Sequence, residues 1–260
     1  MQSLSLAPAG EFSGVQFVLT DMDETLTYQG RLAASTYDAL ERLQAAGVRV
    51  MPVTAAPAGW GDQMARMWPV DGVIAENGGI FMRRCAQGHG IERSWWADEA
   101  DVTAMRNRLA SIAAQVADAV PDACVADDQV FRLASLAWQR TGTSRDGQIV
   151  AALRAAGADT TVNNLWVLGW LGGYDKLSMS LRVLTDAYGV APATAAEVVA
   201  YSGDSTNDAP MFGYFRHTVG VSTVVDCLPQ LPVAPRWVTA GPGGAGFVEF
   251  ANAILRARGV

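Results

Sequence analysis

Apolar positions along this chain follow two rhythms. Short runs at residues 15–19, 48–53, 72–75, 197–201, 218–221 and 236–239 predict strands buried on both faces. Between them, apolar residues recur at helical spacing. Leu32, Thr36, Leu40 and Leu43 predict a helix with Ser35 as its N-cap and Gly47 as its stop. Leu177, Leu181, Leu184 and Tyr188 predict another, opened by Lys176 and closed by Gly189, and residues 247–256 predict a last one. Strands alternating with helices through short links predict an α/β fold with a Rossmann-like parallel sheet and right-handed crossovers.

The rhythm changes in the middle of the chain. Residues 97–119 predict a helix with Met105, Leu109, Ile112 and Val116 on one face, and residues 130–139 predict a strand. A helix over 145–156, capped by Ser144 and ended by Gly157, precedes a strand over 160–171. This order predicts an α+β unit over 83–170, inserted into a core made of 1–82 and 171–260.

Composition narrows the function. The chain has 260 residues, half of them apolar, enough for a sizeable core. A net charge of −7 argues against nucleic acid or an acidic membrane as partner. Three cysteines, odd in number and lacking CxxC spacing, are expected as small core residues of a reduced, cytoplasmic protein. Two histidines leave little for a His-based triad or a His-rich zinc site. Residues 1–14 lack the pattern of a signal peptide and are expected to be a frayed leader. No apolar run approaches the ~18 residues of a membrane span.

The strand-forming run at 15–19 stops at Asp21 and Asp23, and the run at 197–201 stops before Asp204 and Asp208. Ligands of open α/β sheets bind at the carboxyl ends of strands, so these four carboxylates are expected in one crevice. Crowded carboxylates need a cation. A calcium loop would require Gly and Glu where Leu26 and Leu32 stand, and hard oxygen ligands without His or Cys select Mg²⁺. Lys176 at a helix start opposes the helix dipole, a broken local rule of the kind found at functional sites. Thr54, at the end of the second run, has a hydroxyl to offer a phosphate.

In order and spacing, Asp21-Met22-Asp23-Glu24-Thr25-Leu26-Thr27, Thr54, Lys176 and Gly203-Asp204-Ser205-Thr206-Asn207-Asp208 resemble the four motifs of the haloacid dehalogenase (HAD) superfamily. The insertion and the run Glu76-Asn77-Gly78-Gly79 resemble its IIB subgroup, which holds Cof-type, sucrose-phosphate and mannosyl-phosphoglycerate phosphatases. The resemblance implies a Mg²⁺-dependent phosphatase acting on a small phosphorylated metabolite, with 83–170 as a cap that selects it. Asp21 would be the nucleophile, Asp23 the general acid and base, and Thr54 and Lys176 the remaining catalytic groups. Thr54, Ala55, Lys176 and Asn207 would hold substrate, with Asn207 positioning the lysine. Asp21, Asp204, Asp208 and, through its carbonyl, Asp23 would form the metal site. Two departures stand out: Glu24 where many relatives carry Gly, and Ala55-Ala56 after Thr54 where a further substrate contact is common.

Other readings start from the same residues. A phosphomutase would share the aspartyl-phosphate. A nucleotide-binding module would use Gly241-Pro242-Gly243-Gly244-Ala245-Gly246, which fits G-x-G-x-x-G but leaves too little chain for a βαβ unit. Within the insertion, Arg132, Trp138, Arg140, Asn163, Asn164 and Trp166 are the candidate substrate contacts.

Overall fold

The computed structural model describes residues 1–163 and 165–260; the candidate contact Asn164 lies outside the described residues. In chain order, the first half contains β1 (Gln2–Ser3), β2 (Phe17–Thr20), β3 (Thr27–Tyr28), β4 (Arg31–Leu32), α1 (Ala34–Ala45), β5 (Arg49–Pro52), α2 (Ala58–Met67), β6 (Val73–Ala75), β7 (Ile80–Arg84), β8 (Ile91–Trp95) and α3 (Val102–Ala119). The second contains β9 (Ser135–Gln139), α4 (Ser144–Ala155), β10 (Asp159–Val162), β11 (Trp166–Trp170), α5 (Lys176–Tyr188), α6 (Pro192–Val198), β12 (Val199–Gly203), α7 (Ala209–Tyr214), β13 (His217–Gly220), β14 (Trp237–Val238) and α8 (Gly243–Ala257).

Six strands form the central sheet in the order β1-β14-β13-β12-β2-β5, and every neighbouring pair is parallel. Side chains of β2 alternate between its two faces, as a pleated strand requires. Val18 packs with Leu40 and Leu43 of α1 and with Phe247, Phe250 and Ile254 of α8. Phe17 and Leu19 pack on the opposite side with Met179, Val183 and Leu184 of α5 and Phe212 of α7. Both faces are therefore covered, which explains why the strands read as continuous apolar runs.

A second, antiparallel sheet, β10-β11-β9, carries α3 and α4 on one face around Leu109, Ile112, Val116, Leu153 and Val167. Its other face turns to the core. Ala137, Leu168 and Trp170 pack with Ala55 and Tyr174, so this sheet lies over the loop that follows β5. A third sheet, β6-β7-β8, is antiparallel and touches the central one through a parallel bridge from Val53 to Ile74.

Several local expectations are corrected. The segment 160–171 is an antiparallel hairpin, β10 and β11, rather than one strand. Ser35 does not cap α1; the N-cap is Ala33, and Leu32 belongs to the β3–β4 hairpin. Residue Thr143, not Ser144, caps α4, accepting from the Arg145 N–H. The buried face of α5 carries Met179 and Val183, with Leu177 and Leu181 only partly covered. The amino-terminal segment is not frayed: Gln2 and Ser3 add an edge strand, and Leu4 and Phe12 are buried in the core. None of the three cysteines is a core residue; Cys124 is exposed, Cys85 and Cys227 are half-buried, and all are free.

Candidate active site

The end of β2 is held by its neighbour. The Asp21 N–H donates to the Ser202 carbonyl at 2.8 Å, continuing the β2–β12 ladder by one residue. The chain then coils tightly, with the Met22 carbonyl accepting from the N–H groups of Thr25, Leu26 and Thr27. This loop returns Thr25 to the end of β12, where its hydroxyl donates to Asp204 Oδ1 at 3.0 Å. Two central strands thus deliver Asp21 and Asp204 to one place, at the carboxyl edge of the sheet.

Lys176 enters from the opposite side and is fully buried. Its helix starts with a reciprocal cap. Asp175 accepts from the Ser178 N–H at 2.7 Å while its own N–H donates to Ser178 Oγ at 2.9 Å. The Asp175 carboxylate offsets a cation at the positive end of the helix. Lys176 Nζ reaches Asp208 Oδ1 at 2.7 Å and Asp21 Oδ1 at 2.9 Å. Asp208 also accepts from the Tyr201 hydroxyl at 2.5 Å and from the N–H groups of Asp204 and Ser205, each at 3.0 Å. That packing requires glycine at position 203, where a Cβ would stand 2.4 Å from Asp208 Oδ2. Asn207, expected to position the lysine, instead accepts from Ser205 Oγ at 2.5 Å. The residue that holds Lys176 is Asp208, because a tight helical turn after Ser205 directs that side chain, not Asn207, inward.

Carboxylate oxygens of Asp21, Asp204 and Asp208 all lie within 4.8 Å of one another. Three carboxylates face one ammonium in a buried space, so full ionisation would leave two negative charges to be neutralised by protons or by a cation. Burial pushes the Asp21 carboxyl up to about 7 despite the opposing pull of Lys176. Burial, then Asp21 and Asp208, push Asp204 up to about 9. Burial alone would lower the Lys176 pKa, but Asp208 and Asp21 outweigh it and hold the lysine charged. The donor set is all oxygen and, fully ionised with the lysine charged, would carry −2, which fits a divalent hard cation such as Mg²⁺. Asp208 falls inside the group by distance, yet both of its oxygens already accept from other donors. The Asp23 carboxylate is outside the group. Its carboxyl is pushed up to about 6, chiefly by burial and against the pull of Lys176.

Beside these groups is a small cleft of about 20 Å³, lined by Asp21, Asp23, Ala55, Asn163, Asp204 and Asn207 among others. Thr54 is fully buried and precedes the cleft-lining Ala55; its Oγ1 accepts from the Ala56 N–H at 3.0 Å, which leaves the hydroxyl proton to be donated.

No protein-family model matches the sequence, and no curated protein matches it. Solved structures do. A Thermoplasma acidophilum protein (0175) superposes with a TM-score of 0.70 at 16% identity, over 93% of this chain and 99% of its own. A HAD subclass IIB sugar phosphatase gives 0.62 at 13% identity, over 93% of this chain and 100% of its own. A HAD-superfamily phosphatase from Bacteroides thetaiotaomicron gives 0.58 at 18% identity, over 98% and 100%. The chain has the HAD fold. Its six-stranded parallel sheet is the central sheet of that fold.

Of the candidate contacts on the HAD insertion, Asn163 lines the cleft, together with Leu165. Trp138 is buried in the insertion's own core, and Trp166 is half-buried against the Ala55 cluster. Arg140 is exposed and donates to the Asn163 carbonyl. Arg132 joins the insertion to the core instead. Its fully buried side chain binds both oxygens of Asp128, and Nη1 donates to the Ala55 carbonyl at 2.9 Å.

Two acidic residues gain an account that the sequence withheld. Glu24 has a left-handed backbone, φ 55°, where glycine is the unstrained choice. Its side chain offsets that strain of roughly 1 kcal/mol by accepting from the Gln29 N–H at 2.9 Å, which ties the β3–β4 hairpin. Glu76 was legible only as part of a turn. It is buried, and it accepts from the N–H groups of Ala58, Leu133 and Ala134 at 3.0, 2.7 and 2.8 Å and from Ser135 Oγ at 2.6 Å. It therefore fastens the start of α2 to the segment leading into β9. The same turn packs on the lysine helix: Gly78 has φ 116°, and a Cβ there would lie 2.4 Å from the Asp175 carbonyl oxygen. The only local signal for Glu76 was an acid directly after an apolar strand.

Proposed function

We propose that this protein is a Mg²⁺-dependent phosphatase that hydrolyses a small phosphorylated metabolite, a sugar phosphate or a phosphoglycerate derivative, through an aspartyl-phosphate on Asp21. The observation that carries the reading is the buried cluster of three carboxylates around one ammonium, with Asp21 held 2.9 Å from Lys176. Asp21 and Asp204 would hold Mg²⁺, and the ion supplies neutralisation of the phosphoryl oxygens. Asp208 serves the lysine rather than the metal, since its oxygens are already bound.

In the first step an Asp21 oxygen bonds to phosphorus and the ester P–O bond breaks. The leaving oxygen takes the proton of Asp23, whose raised pKa keeps a protonated share close to neutral pH. In the second step Asp23 takes a proton from water, the water oxygen bonds to phosphorus, and the bond to Asp21 breaks, releasing phosphate. Lys176 and the Thr54 hydroxyl hold the phosphoryl group throughout. The cap would be the unit of α3, α4 and the sheet β10-β11-β9, with β7 and β8 left to the core-side sheet and Asn163 lining the cleft. Among the described residues no helix is long and apolar enough to cross a membrane, and the free cysteines support a reducing, cytoplasmic setting.

The direct experiment is phosphate release from a panel of sugar phosphates, phosphoglycerates and aryl phosphates, with Mg²⁺ and after chelation. Release that needs Mg²⁺ and disappears in Asp21→Asn is expected. Release that survives chelation, or persists in a folded Asp21→Asn protein, would falsify the reading.

A further inference from the structure

The cleft over Asp21 is a cavity of only about 20 Å³, against about 410 Å³ in the cavity beside it, so whatever is attached to the phosphoryl group finds its room in the second. Asp23 lines both. A general acid must touch the ester oxygen, so the rest of the substrate leaves the phosphoryl group on the Asp23 side. The cavity found there is lined by Met22, Leu32, Trp60, Trp68, Phe131 and Gln63, among others. Trp60 and Phe131 stand with ring centroids 5.0 Å apart, and both remain partly open to solvent, at 42% and 46%. Phe131 comes from the insertion and Trp60 from α2, so the wall is completed by both units.

Among the described residues, no lysine or arginine lines this cavity. The nearby Arg132 guanidinium is buried and bound to Asp128 and the Ala55 carbonyl. Arg66 and Arg93 line a separate groove beyond Phe131, and both pair with Asp62. A second phosphate or a carboxylate on the leaving group would find no free cation here, whereas a flat apolar face would find indole and phenyl rings.

We propose that this cavity is the leaving-group subsite, and that it takes an uncharged alcohol presenting a flat apolar face, an aromatic ring or the face of a hexose. This rests on the phosphatase reading and narrows it, setting phosphoglycerates aside.

The test compares benzyl phosphate, glucose 6-phosphate and 3-phosphoglycerate, all alkyl esters, so leaving-group acidity does not decide the outcome. One or both uncharged alcohols should exceed 3-phosphoglycerate by about tenfold in kcat/KM, and which one does separates an aromatic from a saccharide site. Trp60→Ala, at a position exposed enough to spare the fold, should lower kcat/KM for the preferred ester about fivefold. That loss should lie mainly in KM and exceed the loss on 3-phosphoglycerate. Gln63→Lys should raise kcat/KM for 3-phosphoglycerate several-fold. A preference for 3-phosphoglycerate, or an equal loss on all three esters in Trp60→Ala, overturns the subsite while leaving the phosphatase reading intact. If no ester is turned over, the phosphatase reading falls. Calorimetry with benzylphosphonate, which has no ester bond, then decides the subsite: weaker binding to Trp60→Ala sustains it and unchanged binding overturns it.

Discussion

Glu76 and Asp204 are both nearly excluded from water, at 1% and 4% exposure, but they meet opposite surroundings. Glu76 receives three backbone N–H groups and a hydroxyl, so its charge is spread over donors that the fold supplies. Asp204 receives the Thr25 hydroxyl and faces two other carboxylates, with one lysine shared among them. The first arrangement is complete and fastens two parts of the chain. The second lacks enough donors for full ionisation, and its buried carboxylates must be neutralised, by protons or by a bound cation. The difference separates a structural acid from a functional one more sharply than burial alone does.

The comparison can be broken in four ways, taken from the largest expected effect. Asp21→Asn should lower turnover by about a thousandfold or more, since an amide is a poor nucleophile, while the melting temperature stays close to that of the parent. A large loss of stability would instead mark Asp21 as part of the scaffold. Glu76→Ala should do the reverse, removing roughly 3–5 kcal/mol of stability because it strands buried donors. Denaturant unfolding measures this, and the loss should be the same with and without Mg²⁺. A loss that Mg²⁺ repairs would erase the distinction between the two sites.

Magnesium should act on the Asp204 side alone. At a hundredfold excess over its dissociation constant it should stabilise the protein by about 2.7 kcal/mol, and Asp204→Asn should remove most of that gain. Thermal melts with Mg²⁺ and with a chelator read it directly. The smallest effect belongs to a second acid of the Glu76 kind. Asp146 accepts from the Thr141 N–H and hydroxyl and from the Gly142 N–H. Burial alone would raise its pKa, but those hydrogen bonds and Arg140 hold the carboxyl below the usual range. Because the folded value is depressed, its contribution is present above the unfolded value near 4 and is lost as pH falls through the folded one. Asp146→Ala should therefore cost about 1 kcal/mol at neutral pH, and the gap between variant and parent should narrow below about pH 4. A gap that widened in acid would reverse the sign.

The sequence by itself determined the parallel core and the placing of Asp21, Asp204 and Lys176 at element ends. Those follow from local period and from where buried runs stop, and neither depends on distant contacts. It also marked the insertion, through its change of rhythm. Tertiary structure decided which side chain meets Lys176. Asn207 and Asp208 are adjacent in sequence, and only the turn after Ser205 and the space left by Gly203 select Asp208. It decided that Arg132 holds the Ala55 carbonyl across 77 residues of chain, and that Glu76 reaches Ala134 across 58. It also decided that Trp60 and Phe131 share a wall beside Asp23. Such contacts join segments far apart in sequence, and their partners are set by how the insertion packs on the core, which no local pattern of residues encodes.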